Sequence, residues 1–178
     1  MHNSNRDKDL DRTIYNSHAS SLLQSDLSAT ACLGSSSLPS TLRSPYLQYE
    51  KLLNYFVAPA SEVLELCAGC GDFSEILVSR SHSLTTIDIS PISLQVLRQR
   101  FSSANNLHTL VADMENLPFP ANSFDLVACA GGLSYGDNII VMNEIHRVLK
   151  PGGHFVCVDS LNHNPIYILN RFFHYLRG

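Results

Sequence analysis

Val63-Leu64-Glu65-Leu66-Cys67-Ala68-Gly69-Cys70-Gly71-Asp72-Phe73-Ser74 is the stretch that decides how this chain folds. Val63 to Leu66 read as a buried strand. Gly69 and Gly71 follow where the backbone must turn sharply or approach a ligand closely, because a Cβ there would clash. A helix then opens, and its first N–H groups have no partner inside the helix. Strand, glycine turn and helix start together form a ligand cradle at the carboxyl end of a sheet strand.

Outward from that stretch the pattern is regular. A strand over Glu62–Cys67 gives way to a helix over about Asp72–Ser81 and a second strand over Ser83–Asp88. Ser90-Pro91 is a helix start, with the cap at Ser90 and proline in the first turn. That helix runs to about Ser103, with Ile92, Val96 and Leu97 inward. Strands are expected over Leu107–Ala112, Phe124–Cys129 and His154–Asp159. A helix over about Asn138–Leu149 is broken by Pro151-Gly152-Gly153. Strands alternating with helices predict an α/β domain built on a doubly wound parallel sheet, with helices on both faces and five readable strands.

Upstream, Pro45 is expected to begin a helix that carries Leu47, Leu52, Leu53, Phe56 and Val57 at helical spacing. Ten of the 28 residues from Ser17 to Ser44 are serine, so residues 1–44 are expected to be a flexible arm, with a lid over a site as the minority alternative. The domain proper is expected over 45–160, followed by an amphipathic helix over 161–178 that carries Ile166, Tyr167, Leu169, Phe172, Phe173 and Leu176.

Composition narrows the function classes. The 178 residues suit one domain, and 44% hydrophobic content supplies a core. A net charge of −4, with no run of Lys or Arg beyond two residues, argues against nucleic acid and against anionic membrane. There is no apolar stretch long enough for a transmembrane helix. Met1 to Arg12 is polar, unlike a signal peptide. Five cysteines, with Cys129 and Cys157 in apolar runs, read as reduced, buried thiols of a cytoplasmic protein. Cys67-x-x-Cys70 lies inside the glycine loop without a second pair, so no metal site is expected.

Four pieces fall at carboxyl ends of successive strands, where open α/β sheets bind ligands. They are the glycine loop, Asp88, Asp113-Met114 and Ala130-Gly131-Gly132. Asp88 has the position of a carboxylate that accepts two hydrogen bonds from a ribose diol. A glycine loop plus such an acid also fits a nicotinamide dinucleotide. That fingerprint wants a third glycine where Ser74 stands, which argues against it.

Five ordered motifs carry a family resemblance: Glu65-Leu-Cys-Ala-Gly-Cys-Gly71, Ile87-Asp88-Ile-Ser90, Ala112-Asp113-Met-Glu-Asn-Leu-Pro-Phe119, Ser123-Phe-Asp-Leu-Val127 and His146-Arg-Val-Leu-Lys-Pro-Gly-Gly153. In order and spacing over 62–159 they resemble the class I S-adenosylmethionine-dependent methyltransferases, in particular the type 11, ubiquinone/menaquinone-type group. The resemblance implies a Rossmann-like fold, S-adenosyl-L-methionine as cofactor and a small-molecule methyl acceptor. It implies that Gly69, Gly71 and the loop backbone at Cys67 and Ala68 hold the methionine part, and that Glu65 fixes the loop and reaches the amino group. It assigns the ribose hydroxyls to Asp88 with Ile89 beside it, the adenine to Asp113 and Met114, and the methionine wall to Ala130.

The resemblance names no catalytic base. Tyr135 and His163 are the candidates for the substrate side, each balanced by a plain reading as a cover residue or a loop histidine. Two departures stand out. Cys67 replaces the first glycine of the loop. The family's final hairpin is not readable, so the sequence is either part of a longer protein or a version without the hairpin, and strand five is expected to be an edge. The rival readings are a degenerate fold that binds cofactor or a partner protein without catalysis, and a nicotinamide-linked oxidoreductase.

Overall fold

Period-two alternation on two neighbouring strands builds both faces of the sheet. In β1 (Glu62–Leu66), Val63 packs on one face and Leu64 and Leu66 on the other. In β4 (Phe124–Ala130), Leu126 and Ala128 take the first face and Val127 and Cys129 the second. The computed structural model describes residues 4–24, 38 and 40–159. Its remaining strands are β2 (Ser83–Asp88), β3 (Leu107–Val111) and β5 (Leu149–Val158). All pairings are parallel, in the order β3-β2-β1-β4-β5.

Helices cover both faces. The helices are α1 (Ser4–Gln24), α2 (Ser40–Phe56), α3 (Ser74–Arg80), α4 (Pro91–Arg100) and α5 (Asn138–Val148). Tyr49, Leu53 and Val57, from α2 and the residue after it, pack with Leu77 of α3 against Val63, Leu84, Leu126 and Val156. Val141, Ile145 and Val148 of α5 close the opposite face over Leu64, Leu66, Val127 and Cys129. The chain builds β1, β2 and β3 outward on one side and then crosses to place β4 on the other side of β1. Strand order therefore reverses between β1 and β4, and open α/β sheets bind ligands outside the carboxyl ends of strands at such a point.

The structure revises several boundaries. Residues 4–24 of the expected arm form α1, which meets the rest of the chain through long-range polar contacts of Lys8 and Asn16, through Tyr15 and through the fully buried Ala19. Helix α2 begins at Ser40, which leaves Pro45 inside it. Helix α3 starts at Ser74, not Asp72, because its first turn is tied to β1 by a bond from Ser74 Oγ to Glu65 Oε2 of 2.6 Å. Pro151-Gly152-Gly153 does not precede β5 but lies within it. Leu149 pairs Phe124, His154 pairs Leu126, and the residues between bulge out with Gly152 at φ +81°. Cys157, expected to be buried, is exposed although Val156 beside it in β5 is buried, so it stands on a face of β5 that the described residues leave uncovered; Cys129 is buried as expected. The helix expected over 161–178 and His163 lie outside the described residues.

Candidate functional site

The loop after β1 is shaped by backbone conformation. Cys67 and Gly69 both have φ +52°, and Gly71 has φ +85°. A Cβ on Gly69 would meet nothing within 4 Å, so its backbone faces open space. Gly71 is different. A Cβ there would lie 2.9 Å from Phe101 Cε2 and 3.0 Å from Leu97 Cγ. Close packing on Leu97 of α4 and on Phe101 requires glycine at this position, and Gly71 is not among the residues that line the cavity described below. At Cys67 a side chain sits in the left-handed region, at a cost of about 1–2 kcal/mol. Its thiol occupies the space beside Gly132, where a Cβ would lie 2.6 Å from Cys67 Sγ.

Asp88, at the end of β2, is nearly buried and holds two turns at once. Its Oδ2 accepts from Gly69 N at 2.9 Å and its Oδ1 from Ser90 N at 2.8 Å. Burial raises its pKa, and these backbone N–H bonds pull against that rise. Ser90 caps α4 as expected, accepting from Ser93 N at 3.0 Å. Glu65 is 3% exposed, and burial pushes its carboxyl from 4.5 up to about 8, with the Ser74 hydroxyl opposing the shift. Asp113 turns the chain after β3, its Oδ1 accepting from Glu115 N at 2.9 Å.

These groups surround one cavity of about 220 Å³ at the carboxyl ends of the strands. Glu65, Cys67, Ala68, Gly69, Asp88, Ile89, Asp113, Met114 and Ala130 all line it, as does Tyr135. The sequence reading raised a lid over a site only as the minority alternative to a flexible arm and named no residue of α1 for it. Lys8, Asp11 and Tyr15 line the same cavity. Tyr15 meets Tyr135 edge-on, with ring centroids 5.9 Å apart. Burial, first, and then the neighbouring Tyr135 hold the Tyr15 hydroxyl in its neutral form. No local motif could have placed α1 here, since the contacts of Lys8 span more than a hundred residues.

The charge of the lining selects a ligand class. Asp11, Glu65, Asp72, Asp88 and Asp113 are the acids in the wall, and Lys8 is its one cation among the described residues. A dinucleotide diphosphate would meet carboxylates on every side. A ligand with a sulfonium, an ammonium, a ribose diol and an adenine amino group would find an acceptor for each. The residues present therefore fit S-adenosylmethionine and not the nicotinamide alternative.

Comparison with known proteins agrees. The model of the methyltransferase domain family matches residues 63–153, just over half of the chain. The chain therefore belongs to the methyltransferase domain family, the class I methyltransferases whose cofactor is S-adenosylmethionine. Among curated relatives, a demethylmenaquinone methyltransferase of Staphylococcus haemolyticus is 36% identical over 108 residues, covering 58% of this chain and 45% of that protein. The matched region thus spans less than half the length of that relative. Two solved structures share the fold. The YcgJ protein of Bacillus subtilis superposes with a TM-score of 0.62 at 23% identity, over 74% of this chain and 58% of that one. An S-adenosylmethionine-dependent methyltransferase of Mesorhizobium loti superposes with a TM-score of 0.60 at 24% identity, over 70% and 56%.

Proposed function

We propose that this chain transfers a methyl group from S-adenosylmethionine to a small-molecule acceptor. The observation that carries the reading is the acid-lined cavity at the β1–β4 reversal, with one carboxylate at the end of each of β2 and β3 and one inside β1. When bound, the cofactor supplies an electrophilic methyl on a sulfonium, so the protein's work is to bind, orient and exclude water. Glu65, neutral when ligand-free, is placed to ionise against an ammonium. Asp88 already presents its carboxylate through two backbone N–H bonds and keeps lone pairs for a diol. Asp113 serves an amino group, with Met114 and Ile89 as apolar walls. Orientation of this kind is worth about 7–11 kcal/mol of barrier in favourable cases. A neutral Tyr15 hydroxyl is a hydrogen-bond donor and not a general base.

For the acceptor we favour a quinone-like or otherwise apolar ring. Two observations support it. The matched relatives are demethylmenaquinone methyltransferases, and Ile139, Ile140 and Met142 are exposed on the start of α5, immediately after Tyr135 on the cavity wall. Tyr135 is the residue we assign to acceptor contact. No described helix is long and apolar enough to cross a membrane. The free thiols of Cys67, Cys70, Cys129 and Cys157 support a reducing, cytoplasmic setting.

The test is calorimetric binding of S-adenosylhomocysteine to the purified chain, with Asp88→Ala in parallel and NAD as competitor. Micromolar binding that Asp88→Ala abolishes and NAD leaves untouched is the expected result. A folded chain that binds NAD instead, or neither ligand, refutes the reading.

A further inference from the structure

Helix α1 lies across the mouth of the cavity and is fastened at three places. Lys8 Nζ is 2.6 Å from Asp113 Oδ2 and 2.5 Å from Glu115 Oε2. Ser90 Oγ donates to Asn16 Oδ1 at 2.7 Å, the same hydroxyl that caps α4. Tyr15 packs edge-on against Tyr135 of the short 3-10 helix Leu133–Tyr135. The roof thus reaches from the loop after β3, past the start of α4, to the loop after β4.

The Lys8 fastening bears directly on the ligand. Asp113 Oδ2 is engaged by Lys8, and Oδ1 is engaged by the Glu115 amide. Each oxygen already accepts one hydrogen bond while α1 is docked, so an amino group that reaches Asp113 shares this carboxylate with the Lys8 ammonium. Burial opposes charge on Lys8, yet the bonds to Asp113 and Glu115 outweigh it and keep the ammonium firmly protonated. Lys8 has a second acceptor in Glu115, so it loses only one of its two carboxylates if Asp113 is taken by another donor. The helix itself is polar, with Asp7, Lys8, Asp9, Asp11 and Arg12 in its first half. The docked face of α1 also buries Ala19 and packs Tyr15 on Tyr135, so the part of it open to exchange with a competing donor is the partly exposed Lys8–Asp113 pair, worth about 1 kcal/mol or less.

We propose that Lys8 is an affinity-setting residue of the cofactor site: its ammonium and the amino group of the incoming ligand compete for Asp113, and α1 is the latch that this competition opens. The inference rests on the cofactor reading given above. It makes α1 a part of the binding site that the glycine loop and strand-end acids do not include.

The experiment is titration of the full chain with S-adenosylhomocysteine, for wild type, Lys8→Met and Lys8→Arg, together with hydrogen exchange over residues 4–24. Lys8→Met keeps helix propensity and removes the charge. It is expected to bind roughly two- to fivefold tighter than wild type, the scale of one partly exposed ion pair. Its α1 amides are expected to exchange faster without ligand. Lys8→Arg restores the ion pair and returns affinity to within about twofold of wild type. Raising salt is expected to tighten binding in wild type and not in Lys8→Met. Equal binding by wild type and Lys8→Met, or weaker binding by Lys8→Met, overturns the latch and leaves the cofactor reading intact. No binding by any of three folded variants overturns both.

Discussion

Replacing Glu65 by Gln isolates the cost of one buried carboxyl. In the folded chain this group titrates at about 8 against an ordinary 4.5, and burial is the main cause. A carboxyl with a raised folded value favours folding least where it must ionise. Its contribution is intact below the unfolded pKa and is lost as pH rises toward the folded one. The loss is on the order of 1.4 kcal/mol for each pH unit between those limits. At pH 7 this amounts to roughly 3 kcal/mol, and above pH 8 to roughly 5 kcal/mol. Gln cannot ionise, keeps the shape, and its carbonyl still accepts from Ser74 Oγ. Urea unfolding is therefore expected to show Glu65→Gln equal to wild type near about pH 4 and progressively more stable through neutrality. Ligand binding should show the reverse. A bound ammonium favours ionised Glu65, so wild type is expected to release close to one proton per S-adenosylhomocysteine at pH 7, read by calorimetry in buffers of different ionisation heat. Glu65→Gln should bind more weakly and release none. A stability difference that does not change with pH refutes the reasoning, because it would mean that the gain comes from packing and not from ionisation.

Two further changes test the scaffold. The Tyr49 hydroxyl is buried without a hydrogen-bond partner among the described residues, so Tyr49→Phe is expected to stabilise the chain by about 1 kcal/mol, seen as a higher melting temperature. Arg147 joins Glu144 at 2.7 Å and the carbonyls of Phe119 and Leu117 at 2.6 and 2.9 Å. Lysine cannot span that fork, so Arg147→Lys is expected to cost about 1–2 kcal/mol in urea unfolding while S-adenosylhomocysteine affinity stays unchanged.

The sheet was legible because its signals are local. Val63 to Leu66, Ser90-Pro91 and the run Phe124 to Cys129 each state their structure within a few residues. The strand-end acids followed from the same logic, since Asp88 and Asp113 are set by where a strand stops. Gly71 carries a second demand that the sequence does not state, since Phe101 and Leu97 close on the space a Cβ would take. Cys157 misled because burial on a strand depends on what covers its face, and Val156 beside it is buried on the other one. Helix α1 was hidden for a different reason. Its sequence is polar, and its reasons for docking are Asp113, Glu115 and Ser90, which lie far away along the chain.

One electrostatic balance joins Glu65 to Lys8. Five acids line a cavity of about 220 Å³, and the ligand-free protein cannot carry all of them ionised and unpaired. Asp72 is paired with Arg100 at 2.6 Å, and two further devices relieve the rest. Glu65 stays protonated near neutrality, and Lys8 is drawn in from α1 as a counter-ion for Asp113. A cationic ligand changes this balance at both places, because its ammonium permits Glu65 to ionise and its neutral amino group meets Asp113 in competition with Lys8, which keeps Glu115. The two substitutions should therefore act independently. In the double variant Glu65→Gln, Lys8→Met, the affinity gained by removing the latch is expected to persist while proton release stays absent. Binding that falls below Glu65→Gln alone would show that Lys8 holds the ligand and does not compete with it.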